Sequence, residues 1–282
     1  MPNARVIKNR IKTVKNTGKI TKTMAMVSTA KATKVIGLIK ASRPYTNRMF
    51  SFLGALSQSC ETHPLFMANP EAEKSLVVVI TANRGLCGGY NANLVRMAKE
   101  KVGPKADVWM FGKKGIASFR FVKIPMASKA SDLNDMPKFE EAVALADRLV
   151  KAYESGEYRE ILVVSSEFVS AGQQRPCTQT LLPMKVETST EASNSWSVGP
   201  IYHPNKDSLI NDLVPRLIRL KVYRVLLDAA ASEHLARQMA MNSASDNAFD
   251  MVKALSLSYN RARQAQITTE ISEIVGGAEA LN

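Results

Sequence analysis

Residues 216–275 read RLIRLKVYRVLLDAAASEHLARQMAMNSASDNAFDMVKALSLSYNRARQAQITTEISEIV, and they contain neither Gly nor Pro, 60 consecutive residues without a helix breaker. As one helix this stretch would reach about 90 Å, whereas a compact chain of 282 residues is about 50 Å across. The segment is therefore expected to project from the body of the molecule. Its apolar positions form a narrow seam: Val252, Leu255, Tyr259 and Ala262, then Ile267, Ile271, Ile274, Ala278 and Leu281.

The amino end offers a partner for that helix. Ile7, Ile11, Val14, Gly18, Thr21, Ala25, Ser28, Ala32, Val35 and Ile39 recur at alternating steps of four and three, a heptad seam over more than four repeats. Its middle is made of small residues, which bury little area but allow another helix to come close. Two terminal helices with narrow seams predict one long antiparallel coiled coil within the chain.

Between them lies a different pattern. Residues 75–82 (SLVVVITA) are a continuous β-branched run, as a buried parallel strand requires. A glycine-rich turn follows, with Gly85, Gly88 and Gly89, and then a helix over 93–101. Further strands are read at 107–111 and 160–166, a helix at 138–154, another strand at 178–186, and a Ser/Thr/Asn-rich loop at 187–198. The expected class is α/β: the terminal coiled coil plus a central Rossmann-like α/β domain with a mostly parallel sheet. The expected domains are a coiled-coil helix over 1–60, the α/β domain over 74–190, and a second coiled-coil helix over 206–282.

Charge is distributed unevenly. The first 60 residues hold twelve Lys or Arg and no acid, while the other 222 hold 26 bases against 25 acids, so +12 of the net +13 lies at the amino end. Such a helix suits an acidic protein partner, nucleic acid or lipid headgroups, or is simply a solvated face. Nucleic acid is disfavoured because the first aromatic is Tyr45, leaving no rings for base stacking. A basic amino terminus can also mimic an organelle-targeting peptide, but here it runs directly into the heptad pattern and reads as mature structure.

Catalytic signatures are missing. The glycine turn reads G-L-C-G-G-Y, neither a dinucleotide fingerprint nor a P-loop, and it is read as a tight structural turn in which Gly85→Val should damage folding. His63, His203 and His234 are far apart, and Cys60, Cys87 and Cys177 are isolated in sequence. No metal, cofactor or disulfide framework is expected. No apolar run approaches the roughly 20 residues of a membrane span.

Several segments together resemble one known family. They are 7–11 (IKNRI), 14–28 (VKNTGKITKTMAMVS), 42–45 (SRPY), 84–91 (RGLCGGYN), 262–265 (ARQA) and 267–278 (ITTEISEIVGGA), with Ser232, Glu233, Ala236, Arg237, Met241, Asp246, Asn247, Tyr259 and Asn260 between. They look like the gamma subunit of F-type ATP synthases over essentially the whole chain, departing mainly at 195–204 and around Asp132.

The resemblance implies a central-stalk rotor that is not itself catalytic and binds no cofactor. It would turn inside a hexamer of alpha and beta subunits and stand, with the epsilon subunit, on a membrane ring of c subunits. Its membrane association would be through the complex only, at the cytoplasmic face of a bacterial inner membrane. On the matching positions, Met24, Lys19, Lys22, Arg237 and Gln264 are expected to meet beta, Arg237 and Gln264 as a polar catch. Ile267, Ile271, Ile274 and Leu281 would form an apolar bearing, and Tyr202 would sit at the foot. The acid-free helix would face acidic loops of beta, an attraction that need not lock one position.

Overall fold

A computed structural model describes residues 4–55, 63–131, 133–170, 172–184 and 205–279. Helix α1 spans Ala4–Ala55 and carries Pro44 inside it. After a 3-10 turn at Pro64–Phe66 come β1 (Lys74–Ile80), α2 (Tyr90–Lys101), β2 (Ala106–Phe111), α3 (Lys113–Phe121), β3 (Ser128–Ala130) and α4 (Phe139–Glu154). β4 (Tyr158–Ser170), β5 (Gln173–Leu182) and α5 (Lys206–Glu279), with Pro215 inside it, complete the order. The breaker-free stretch is thus one helix. Pro44 and Pro215 each remove one backbone donor, yet neither ends its helix.

The sheet has five strands in the order β3-β2-β1-β4-β5. β1 pairs in parallel with both β2 and β4, β2 in parallel with β3, and only β5 runs antiparallel, as a hairpin on β4. The final strand ends at Leu182, four residues short of the expected 186, and the expected loop at 187–198 lies outside the described residues.

Period-two alternation sorts β1 between two cores. Val77 and Val79 join Leu94 and Phe119 of α2 and α3, whereas Leu76, Val78 and Ile80 join Leu149 of α4, Leu53 of α1, and Leu217 and Val222 of α5. Burial on both faces explains why β1 is apolar from Leu76 to Ile80.

Two units are distinguished along the chain: one of Met1–Ser28 with Arg237–Asn282, the other of Thr29–Ala236. Within the first, a Cβ placed on Gly18 would lie 3.2 Å from the Ala248 Cβ, and the Ser245 hydroxyl donates to the Gly18 carbonyl at 3.4 Å. Within the second, Val35 and Ile39 cluster with Leu227, Ala230 and Ala231. Each unit thus pairs a stretch of α1 with a stretch of α5, in the antiparallel sense expected of the two terminal helices. None of the ten seam positions on α1 is exposed, and five of them, from Ala25 to Ile39, are fully buried in succession.

Candidate functional site: the helix pair and the loop that holds it

The seam on α5 divides into two parts. Val252, Leu255, Tyr259 and Ala262 are half-buried, but Ile267 and Ile271 are exposed, and Ile274 is 72% exposed. The register explains this, since with Gly18 opposite Ala248 the first described residue of α1, Ala4, falls opposite about residue 262. Beyond that point no described residue of α1 lies alongside α5. The described members of the seam from Ile267 onward therefore present an apolar stripe to solvent, leaving Ile267, Ile271 and Ile274 uncovered by their own chain. Leu281 lies outside the described residues, as does Tyr202.

The other expected contact residues fall on different surfaces. Lys19, Lys22 and Gln264 are exposed, and Met24 is half-buried beside the seam. Arg237, by contrast, is only 7% exposed. Of the two expected catch positions, Gln264 presents its side chain and Arg237 is covered by its own chain.

The glycine turn is tight, but its strain is not at Gly85. Leu86 and Gly88 have positive φ, 61° and 56°. A Cβ on Gly85 would meet only the flexible end of Lys114 at 3.4 Å, and one on Gly89 only the Asn93 amide at 3.5 Å. The expected damage from Gly85→Val is therefore reassigned to a glycine that the motif did not single out. Gly112, after β2, has φ +97°, and a Cβ there would lie 2.1 Å from the Thr81 carbonyl oxygen. Thr81 also fixes this corner by its hydroxyl, which donates to the Phe111 carbonyl at 2.8 Å and accepts from the Gly115 N–H at 3.0 Å.

The carboxyl end of β1 is where doubly wound folds hold ligands. Here a cleft lined by Thr81, Asn83, Tyr90, Asp135, Leu226 and Glu233 is bordered by the chain's own α5. The Tyr90 hydroxyl donates to the Ala229 carbonyl at 3.2 Å, and the Ser232 hydroxyl to the Ser166 carbonyl at 3.4 Å. At this strand end, the turn and β4 are thus fastened to a terminal helix.

A third attachment was invisible in the sequence. Asp135, between β3 and α4, accepts a charge-assisted bond from Lys31 of α1 at 2.7 Å. The Asp135 backbone carbonyl lies 2.8 Å from Nε2 of His234 on α5, and since a carbonyl only accepts, that nitrogen carries the hydrogen. Burial would raise the Asp135 carboxyl, but the bond and charge of Lys31, with Arg84 and His234 adding, hold it below its ordinary value. Another carboxyl behaves in the opposite way. Burial pushes Asp228 of α5 up to about 6, with Glu167 pushing further and Arg224 and Arg43 pulling back.

Among the described residues no group of His, Cys, Asp or Glu is arranged to hold a metal ion, and no helix is long and apolar enough to cross a membrane. Chemically, the arrangement offers a surface: a basic helix paired with one whose exposed end is apolar.

Comparison with known proteins fits this arrangement. A family model described as ATP synthase matches residues 3–281. The ATP synthase gamma chain of Leptospira biflexa is 39% identical over 292 residues, and that of Desulfitobacterium hafniense 41% over 286, each alignment covering 100% of both chains. Among solved structures, a chain of the Euglena gracilis mitochondrial ATP synthase (OSCP/F1/c-ring) superposes with a TM-score of 0.71 at 21% identity, covering 99% of this chain and 94% of that one. A chain of the Tetrahymena thermophila mitochondrial enzyme (central stalk/c-ring) gives 0.60 at 22% identity, covering 80% and 99%. With a family match over nearly its whole length and full-length relatives near 40% identity, the chain belongs to the ATP synthase gamma chain family.

Proposed function

We propose that this chain is the central-stalk rotor of an F-type ATP synthase, transmitting ion-driven rotation of a membrane ring to the catalytic beta subunits, or the reverse during hydrolysis. The observation that carries the reading is the full-length match to gamma chains, and the surface of the helix pair supplies its physics. α1 carries most of the chain's net positive charge. A diffuse positive face attracts acidic loops over a distance of about 8–10 Å, without needing one fixed partner geometry. A part that meets three beta subunits in turn requires that.

In this reading Lys19, Lys22 and Met24 on α1 and Gln264 on α5 face beta. Ile267, Ile271 and Ile274 near the end of α5, together with Leu281, are assigned to an apolar bearing, where oil-like contact resists separation but imposes little angular preference. Tyr202 is assigned to the contact with the ring of c subunits and the epsilon subunit. The chain makes and breaks no bonds; nucleotide chemistry belongs to its partners. It is held peripherally, at the cytoplasmic face of a bacterial inner membrane, through the complex.

Co-expression with the alpha and beta subunits of the same organism tests this reading. The expected result is a stable complex whose ATP hydrolysis depends on this chain. A chain that purifies alone, with alpha and beta indifferent to its presence, would overturn it.

A further inference from the structure

We propose that residues 133–138 are a strap that fixes both terminal helices to the sheet, and that Asp135 is the positioning residue through which turning force passes between them. The inference rests on the rotor reading and deepens it. It is carried by the convergence of both terminal helices on one residue. The Asp135 carboxylate takes Lys31 of α1 at 2.7 Å, and its carbonyl takes the His234 Nε2–H of α5 at 2.8 Å. The strap is itself anchored on the sheet side. The Asn83 amide, just after β1, donates to the Leu133 carbonyl at 3.0 Å, and the Asn83 side-chain oxygen accepts the Lys113 N–H at the start of α3, at 3.1 Å. Asn134 bonds Glu141 in the first turn of α4.

This matters because the neighbouring packing is poor at resisting rotation. Val35 and Ile39 meet Leu227, Ala230 and Ala231 through apolar contacts, whose attraction is non-directional. A charge-assisted hydrogen bond is directional and opposes sliding. Lys31 and Asp135 are each about a third exposed on their side chains, so the pair can open without unfolding the core. The strap also gives the glycine-rich motif a purpose that its lack of phosphate chemistry left open. The motif begins beside Asn83, and its turn delivers Tyr90 to α5.

The test uses the complete enzyme in inverted membrane vesicles carrying wild-type chain, Lys31→Met or Lys31→Arg. ATP hydrolysis, ATP-driven proton uptake and hydrogen exchange of residues 133–138 are measured. For Lys31→Met, hydrolysis persists, proton uptake per ATP falls, and the strap amides exchange about fivefold faster, as loss of one half-buried ion pair predicts. Lys31→Arg behaves as wild type in all three.

Unchanged uptake per ATP in Lys31→Met, beside normal wild-type uptake, overturns the strap alone. So does a Lys31→Met chain that fails to assemble while Lys31→Arg assembles, since the pair would then serve folding, not transmission. A wild-type chain that supports no ATP-driven uptake overturns the rotor reading, and the strap with it.

Discussion

Asp228 should weaken this protein at neutral pH, and removing its charge should strengthen it. The side chain sits on α5 in a buried position, with Arg224 of the same helix at 3.8 Å, too far for a strong bond, and with Glu167 of β4 opposing it. Its carboxyl is raised from 3.8 to about 6. A raised value means that the folded chain binds the proton more tightly than the unfolded chain. The associated stability is therefore fully present below pH 4 and is lost as pH rises through 6. A shift of about two units is worth about 3 kcal/mol.

Asp228→Asn keeps the shape and discards the charge. The variant should exceed wild type by about 3 kcal/mol at pH 8, and about half of that gap should close by pH 5. The offset from leaving Arg224 without its carboxylate is small, because that guanidinium is partly exposed. Urea denaturation of both chains across pH 5–8 measures the gap directly. A gap that is absent, or that stays constant with pH, refutes the burial argument.

Three further outcomes follow from named contacts. Gly112→Ala should cost about 3 kcal/mol or more, because it adds a left-handed backbone penalty to a backbone collision that no side-chain movement relieves, and thermal unfolding reads it. Gly85→Ala should change stability by less than about 1 kcal/mol in the same assay, since its methyl group meets only the movable end of Lys114. Ile274→Ser should leave the unfolding free energy of the isolated chain, read by urea denaturation, within about 0.5 kcal/mol of wild type, because the side chain is exposed, yet should lower turnover of the assembled complex if the end of α5 is a bearing.

Much of the architecture was legible because it rests on periodicity. The four-three spacing from Ile7 to Ile39 and the absence of breakers over 216–275 each specify a helix, and the β-branched run at 75–82 specifies a strand buried on both faces. The two interior prolines lie inside helices expected over 1–60 and 206–282, where tertiary support outweighs a single lost donor. β3 is three residues long and too brief for any pattern, and α3 opens with two lysines and a glycine, so neither announced itself.

The candidate site was legible only where it is a surface. Lys19, Lys22 and Gln264 lie on exposed faces that a helical reading places outward. The α5 seam takes one step of five between Ala262 and Ile267 and then resumes its four-three spacing, so the exposed end carries the same apolar period as the covered part. Asp135, Lys31 and His234 are separated by about a hundred residues at each step, and nothing local marks them as partners. Gly112 escaped notice because its need for a positive φ arises from Thr81, thirty-one positions away.

The central claim is rotation, and the most direct measurement watches it. This chain, labelled at an introduced cysteine on its sheet-bearing unit, is assembled with surface-fixed alpha and beta subunits and observed one molecule at a time during ATP hydrolysis. The account predicts one-way turning with three dwells per revolution. A complex that hydrolyses ATP at its normal rate while the label stays still would contradict it.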